Sequence, residues 1–221
     1  KSMFLCNNIL HGEHLWYIHA YLYVLIIFWL ANKYNLYKLL LYATPILIIV
    51  GLYLGKYHEI ITGHNNSLYY SRNFLFTGLP FFTLGVFIKK NEKIINRYIS
   101  RNIAIARIIV FLNIGSVEEF TLGLYNKTGD LYISTTFTAT AIFTLFLKIN
   151  CDKENFISKI GRNDCLYIYI LHVFFLNEIF FLMKLLGHES LLEYISIIIV
   201  PIITIFSIRI LRKSQIIGKL I

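Results

Sequence analysis

Charge is scarce in this chain: Asp, Glu, Lys and Arg together make up 15% of its 221 residues. A soluble domain carries about a quarter, so an ordinary water-facing surface is excluded. Cysteine is scarce too, with Cys6, Cys151 and Cys165 the only three. Three thiols on different sides of a membrane, as placed below, make no disulfide framework. Low-complexity tracts, long linkers and a soluble appendage are all missing. So are a secretory signal pattern and an initial Met, because the sequence opens at Lys1.

What fills the chain instead is apolar: 57% of residues are hydrophobic and the mean hydropathy is +0.64. The apolar residues fall in seven runs, each close to the roughly 20 residues that cross a hydrocarbon core. They are Leu15–Ala31, Leu36–Leu54, Arg72–Ile88, Ile99–Val117, Leu131–Ile149, Cys165–Leu186 and Leu191–Leu211. Membrane-spanning strands would be shorter and would alternate in polarity; these do not. The predicted fold is an all-α, polytopic transmembrane helical bundle forming one integral-membrane domain over residues 1–221.

Basic residues orient such a bundle, because cytoplasmic loops carry the excess of Lys and Arg. Fifteen of the 21 fall in loops that share one side, among them Lys89, Lys90, Lys93, Arg97 and Arg101. Five fall on the other side, and Arg107 lies inside a run. The predicted topology therefore has the first residues outside and the C-terminus in the cytoplasm. The net charge of +9 then faces the anionic inner leaflet, and no nucleic-acid partner is needed to explain it.

The third run is the least regular. Gly78, Pro80 and Gly85 interrupt it, and Arg72 and Asn73 open it on the outer side. A proline within a helix removes a hydrogen bond and kinks it, and broken spans often line binding sites. The sixth run holds His172, eight residues past the turn-forming stretch Gly161–Asp164, hence about 12 Å into the bilayer. Tyr169 and Cys165 share its helical face.

Three stretches, HLWYIHAYLYVLII from His14, SRNFLFTGLPFFTLGVFI from Ser71 and SKIGRNDCLYIYILHVFF from Ser158, are similar to the acyltransferase family 3 membrane proteins. They recur in the family's order and spacing, and the likeness covers nearly the whole chain. The resemblance implies a bundle of roughly ten helices, each of bilayer-spanning length. It implies transfer of an acyl group, usually acetyl, from cytoplasmic acyl-coenzyme A to a hydroxyl of an envelope glycan outside. It also implies a bacterial plasma membrane and no metal. A related branch is the membrane domain of vancomycin-resistance serine racemases, which is associated with inward movement of serine.

One departure matters. The family places its catalytic histidine on its first span, eleven residues after an Arg or Lys. Here Lys1 is followed at that spacing by Gly12, and His11 and His14 are not embedded in such a span. The expectation is that about three spans precede Lys1 in the intact protein, and that this segment alone lacks the principal base.

Within that frame the resemblance gives the polar residues candidate roles. Arg72, Asn73 and Trp16 form the acceptor-side pocket. Arg107 and Tyr169 serve the acyl-coenzyme A donor, Arg107 either by pairing with its phosphates or by snorkelling along its own stem. Glu118, Glu119, His14 and His172 are supporting candidates near the catalytic step. For His172, a structural hydrogen bond to a tyrosine or a backbone carbonyl stands against a place in the transfer tunnel. A transporter of a small molecule such as serine is the rival reading, since a kinked span with polar groups suits alternating access. A retinal protein is excluded, because the last run contains no lysine for a Schiff base.

Overall fold

A computed structural model describes residues 16–64, 70–123, 131–149, 155–185 and 189–213. The coordinates divide into two compact units, Lys1–Asn150 and Cys151–Ile221. Every described element is helical, and each of the seven apolar runs overlaps a helix. Helices satisfy their own backbone groups, which is the condition for placing a chain in lipid.

The first unit begins with α1 (Trp16–Lys33), α2 (Tyr37–Leu54) and the short α3 (His58–Thr62). A π-helical turn, Phe74–Gly78, then leads directly into α4 (Leu79–Lys90) and the short α5 (Glu92–Tyr98). Two further helices, α6 (Arg101–Gly123) and α7 (Ile133–Phe146), close the unit as an adjacent pair. The π-turn is central to the packing: α1, α2 and α4 all contact it. Gly51 of α2 makes this possible, because a Cβ there would lie 3.1 Å from both the Cβ and the carbonyl oxygen of Phe76. The second unit is a hairpin of α8 (Phe156–Leu185) and α9 (Glu189–Lys213).

Among the described residues two helices can cross a membrane by length and composition, Tyr37–Leu54 and Ser158–Leu185, and the 14-residue α7 is apolar but short. The third run is split between the π-turn and α4, while α6 carries Arg107, Glu118 and Glu119 along its length.

Two local expectations are corrected. Gly161–Asp164 is not a turn but lies within the 30-residue α8, which is about 45 Å long. Turn propensity is a weak preference, and here Asp164 is paired with Arg212 at 2.6 Å. Pro80 also does not kink a helix from within. It occupies the first turn of α4, directly after a π-turn in which the Leu79 N–H reaches back to the Phe74 carbonyl, so the ladder is already widened where the proline N–H is missing. The break instead comes from the π-turn before it. Prolines that do lie inside helices are Pro45 of α2 and Pro201 of α9.

Among the described residues the buried set mixes small or aliphatic side chains such as Ala20, Val24, Ala104 and Ile208 with hydroxyl residues, while many large apolar side chains face outward. Trp29, Ile46, Ile49, Phe120 and Ile197 are exposed, while Thr44, Thr83, Thr144 and Thr204 are buried. Each of these threonines donates to the carbonyl one turn back in its own helix, at 2.7–2.8 Å. A hydroxyl satisfied in this way can sit at a helix contact without a partner across it. Apolar side chains turned outward beside small hydroxyl residues turned inward are what a lipid solvent selects.

Candidate active site

Polar side chains gather at one end of the first unit, where α2 ends, the π-turn begins, α6 ends and α7 starts. Gly55 lets the chain leave α2 tightly, since a Cβ there would lie 3.2 Å from the Cβ of Ser71. The next residue, Lys56, is 4% exposed, and its ammonium lies over the Tyr132 ring at 5.6 Å. The hydroxyl of Tyr57 donates to Glu118. The carboxylate of Glu118 also accepts the backbone N–H of Ile133 at 2.9 Å and of Ser134 at 3.0 Å. Those amides belong to the first turn of α7, whose N–H groups have no partner within the helix. Glu118 therefore ties together α6, α7 and the loop after α2. Close approach of α6 and α7 nearby depends on Gly115, where a Cβ would lie 3.0 Å from the Ser134 hydroxyl.

Asn73 organises the start of the π-turn. Its Oδ1 accepts from Leu75 at 3.0 Å and Phe76 at 2.9 Å, and its Nδ2 donates to the Tyr70 carbonyl at 2.9 Å. Its backbone carbonyl accepts from both Thr77 and Gly78, which is how the wider π spacing begins. Asn73 is buried and the neighbouring Arg72 half-buried. Isolated π-turns inside helical segments are frequent at functional sites.

Three residues of this end were not singled out from the sequence. Besides Lys56, they are His58 and Glu59, whose Nδ1 and Oε2 atoms are buried with no hydrogen-bond partner among the described residues. The His58 ring meets Tyr53 edge-on at 5.5 Å. A buried polar atom left unpaired is costly and marks a place where a ligand or water completes the bonding. The available signal was the short stretch Lys56-Tyr57-His58-Glu59 between two apolar runs.

The other candidates of the first unit are spread more widely. Trp16 lines an apolar groove of about 510 Å³ with Tyr21, Thr77, Gly78, Phe81 and Lys89. Glu119 is exposed and lines a separate pocket of about 370 Å³ beside Ser116, Tyr132 and Thr135. Arg107 is exposed on α6. His14 lies outside the described residues.

In the second unit, the Nδ1 of half-buried His172 is 2.6 Å from the Tyr169 carbonyl and 3.2 Å from that of Ile168. A carbonyl only accepts, so Nδ1 carries a proton in this contact. The Tyr169 ring lies 5.7 Å away. Of the arrangements open from sequence, the hydrogen bond to a backbone carbonyl is present.

Residues 9–210 match the family 3 acyltransferase domain. The chain belongs to that family. Membership makes it a membrane acyltransferase domain, with an acyl donor and an acyl acceptor as its two reactants. No curated protein and no solved structure matches the chain. The acyltransferase polar end thus contains Arg72, Asn73 and Glu118 of the sequence-derived candidates, whereas Trp16, Glu119 and Arg107 lie elsewhere in the first unit.

Proposed function

We propose that this chain is part of a multi-pass acyltransferase of a bacterial plasma membrane, with seven spans here in one integral-membrane domain. It moves an acyl group, normally acetyl, from cytoplasmic acyl-coenzyme A to a hydroxyl of an envelope glycan. The family match over residues 9–210 carries this reading. The lipid-suited burial pattern and the alternation of basic loops support it. The charge pattern places the Lys56–Asn73 end outside, where the acceptor arrives, and the C-terminus in the cytoplasm.

In this reading Arg72 and Asn73 shape the acceptor pocket, with Trp16 on the adjoining groove. Glu118 fixes the helices around it, and Glu119 faces the neighbouring pocket. His172 lines the path of the acyl group, with Tyr169 beside it. Arg107 and Tyr169 remain the sequence-based candidates for the donor side, and His14 for the outer interface. The reaction itself transfers the acyl carbonyl from thioester sulfur to hydroxyl oxygen. A base takes the hydroxyl proton, and the departing thiolate of coenzyme A is protonated.

The broken third span equally suits a carrier of a small molecule such as serine. Membranes containing the intact protein decide between the two readings. Labelled acetyl should pass from acetyl-coenzyme A to envelope glycan in these membranes. Uptake of labelled serine without any acyl transfer would replace the enzyme by the transporter.

A further inference from the structure

The hairpin of α8 and α9 contains a second polar region that the reading above does not use. On α8, Phe156, Lys159, Ile160, Asn163 and Asp164 follow the spacing of one helical face. Together with Arg209 and Arg212 of α9, they line a cleft of about 650 Å³, a size that holds a nucleotide or a lipid headgroup. Among the described residues three cations thus line the cleft with one carboxylate, which is ion-paired with Arg212. Asp164 is 6% exposed and lies 2.6 Å from a terminal nitrogen of Arg212. The same nitrogen donates to the Asn163 carbonyl at 3.0 Å, and the guanidinium lies over the Tyr167 ring at 5.9 Å, so Arg212 is held in place.

The remaining two cations have no ion pair among the described residues. Arg209 is exposed and lies over the Phe156 ring at 4.8 Å. Lys159 is exposed as well. A fixed guanidinium, a second guanidinium against an aromatic ring and an exposed ammonium around one cleft match the oxygen array of a phosphate ester.

We propose that this cleft is a binding site for a phosphate-bearing group, with Arg209 and Lys159 as its direct ligands and Asp164 as the residue that positions Arg212. In the cytoplasmic orientation proposed above, on which the assignment to the donor rests, that group is the nucleotide end of acyl-coenzyme A. An anionic lipid headgroup offers the same chemistry, and the experiment separates the two.

The intact protein is reconstituted in phosphatidylcholine nanodiscs and titrated with coenzyme A. Parallel discs carry spin-labelled phosphatidylglycerol, whose enrichment at the protein is measured. Lys159→Ala with Arg209→Ala should weaken coenzyme A binding by about ten- to hundredfold, as loss of charge-assisted contacts implies. Arg209→Lys should fall between, because it keeps the charge but loses the planar fork. Unchanged coenzyme A binding with loss of phosphatidylglycerol enrichment would keep the phosphate site and assign it to lipid. If the unmodified protein binds no coenzyme A at all, the donor reading fails, and the lipid measurement alone judges the cleft. Unchanged binding of both probes by the double variant would overturn the proposal. Both substituted residues are exposed, so folding should survive, and a melting curve checks this.

Discussion

The two polar regions of this molecule are built in opposite ways. At the end of the first unit charge is buried: Lys56 is 4% exposed, and the Glu118 carboxylate is filled by Tyr57 and two backbone amides. In the hairpin Asp164 is the buried charged side chain among the described residues and pairs with Arg212, while Arg209 and Lys159 are exposed. Burying a charge is expensive unless it is paired and hydrogen-bonded. The first region therefore spends most of its polar groups on holding helices together, and the second keeps its cations for something outside the protein. Charge count alone would rank the two alike; the bonding already satisfied distinguishes them.

The sharpest way to break this contrast is at Glu118. Glu118→Ala should lower stability by about 2–3 kcal/mol, because two charge-assisted amide contacts and the Tyr57 contact disappear together. Thermal unfolding in detergent measures it. Glu118→Gln retains an accepting oxygen and should recover much of that loss, along with acyl transfer in the intact protein. A stable but inactive Glu118→Gln enzyme would instead make this carboxylate a chemical participant.

Asn73→Ala comes next. It leaves the first amides of the π-turn and the Tyr70 carbonyl without partners, at a cost of about 1–2 kcal/mol. Asn73→Asp keeps the accepting oxygen for Leu75 and Phe76 and should be milder. Equal melting temperatures for all three proteins would show that the π-turn is held by packing alone.

Gly51→Ala probes the same element from the α2 side. A Cβ placed 3.1 Å from the Phe76 backbone and side chain should cost about 1–3 kcal/mol through overpacking. A neutral substitution would mean that α2 can draw back from the π-turn freely.

The smallest effect is expected at Arg107. As an exposed side chain without a salt bridge among the described residues, Arg107→Ala should change stability by less than about 0.5 kcal/mol. Its effect on the apparent KM for acyl-coenzyme A should also be smaller than that of Arg209→Ala. A larger rise at Arg107 would return the phosphate contact to the first unit and sharpen the comparison in the opposite direction.

Much of the helical layout was legible because it depends on runs of apolar residues, and a run is a property of the sequence. The irregularity of the third span was legible too, from Gly78 and Pro80, although its form was not. A π-turn needs the Asn73 side chain and the neighbouring α1 and α2 surfaces to stabilise it, and those lie far apart in the chain. The misreading of Gly161–Asp164 has the same origin. Locally the stretch favours a turn, but its aspartate meets an arginine 48 positions later, as the numbering shows.

The sequence by itself determined that this protein is helical and suited to lipid, and its three quoted stretches identified its family. Hydropathy, helix length and motif order are all written along one dimension. Which polar groups are already satisfied was decided only by tertiary structure. The bonding of Glu118, the atoms of His58 and Glu59 left unpaired among the described residues, and the exposed cations beside Asp164 all depend on distance in space. Hydrogen bonds and ion pairs act over a few ångströms, and only the folded helices bring their partners within that range.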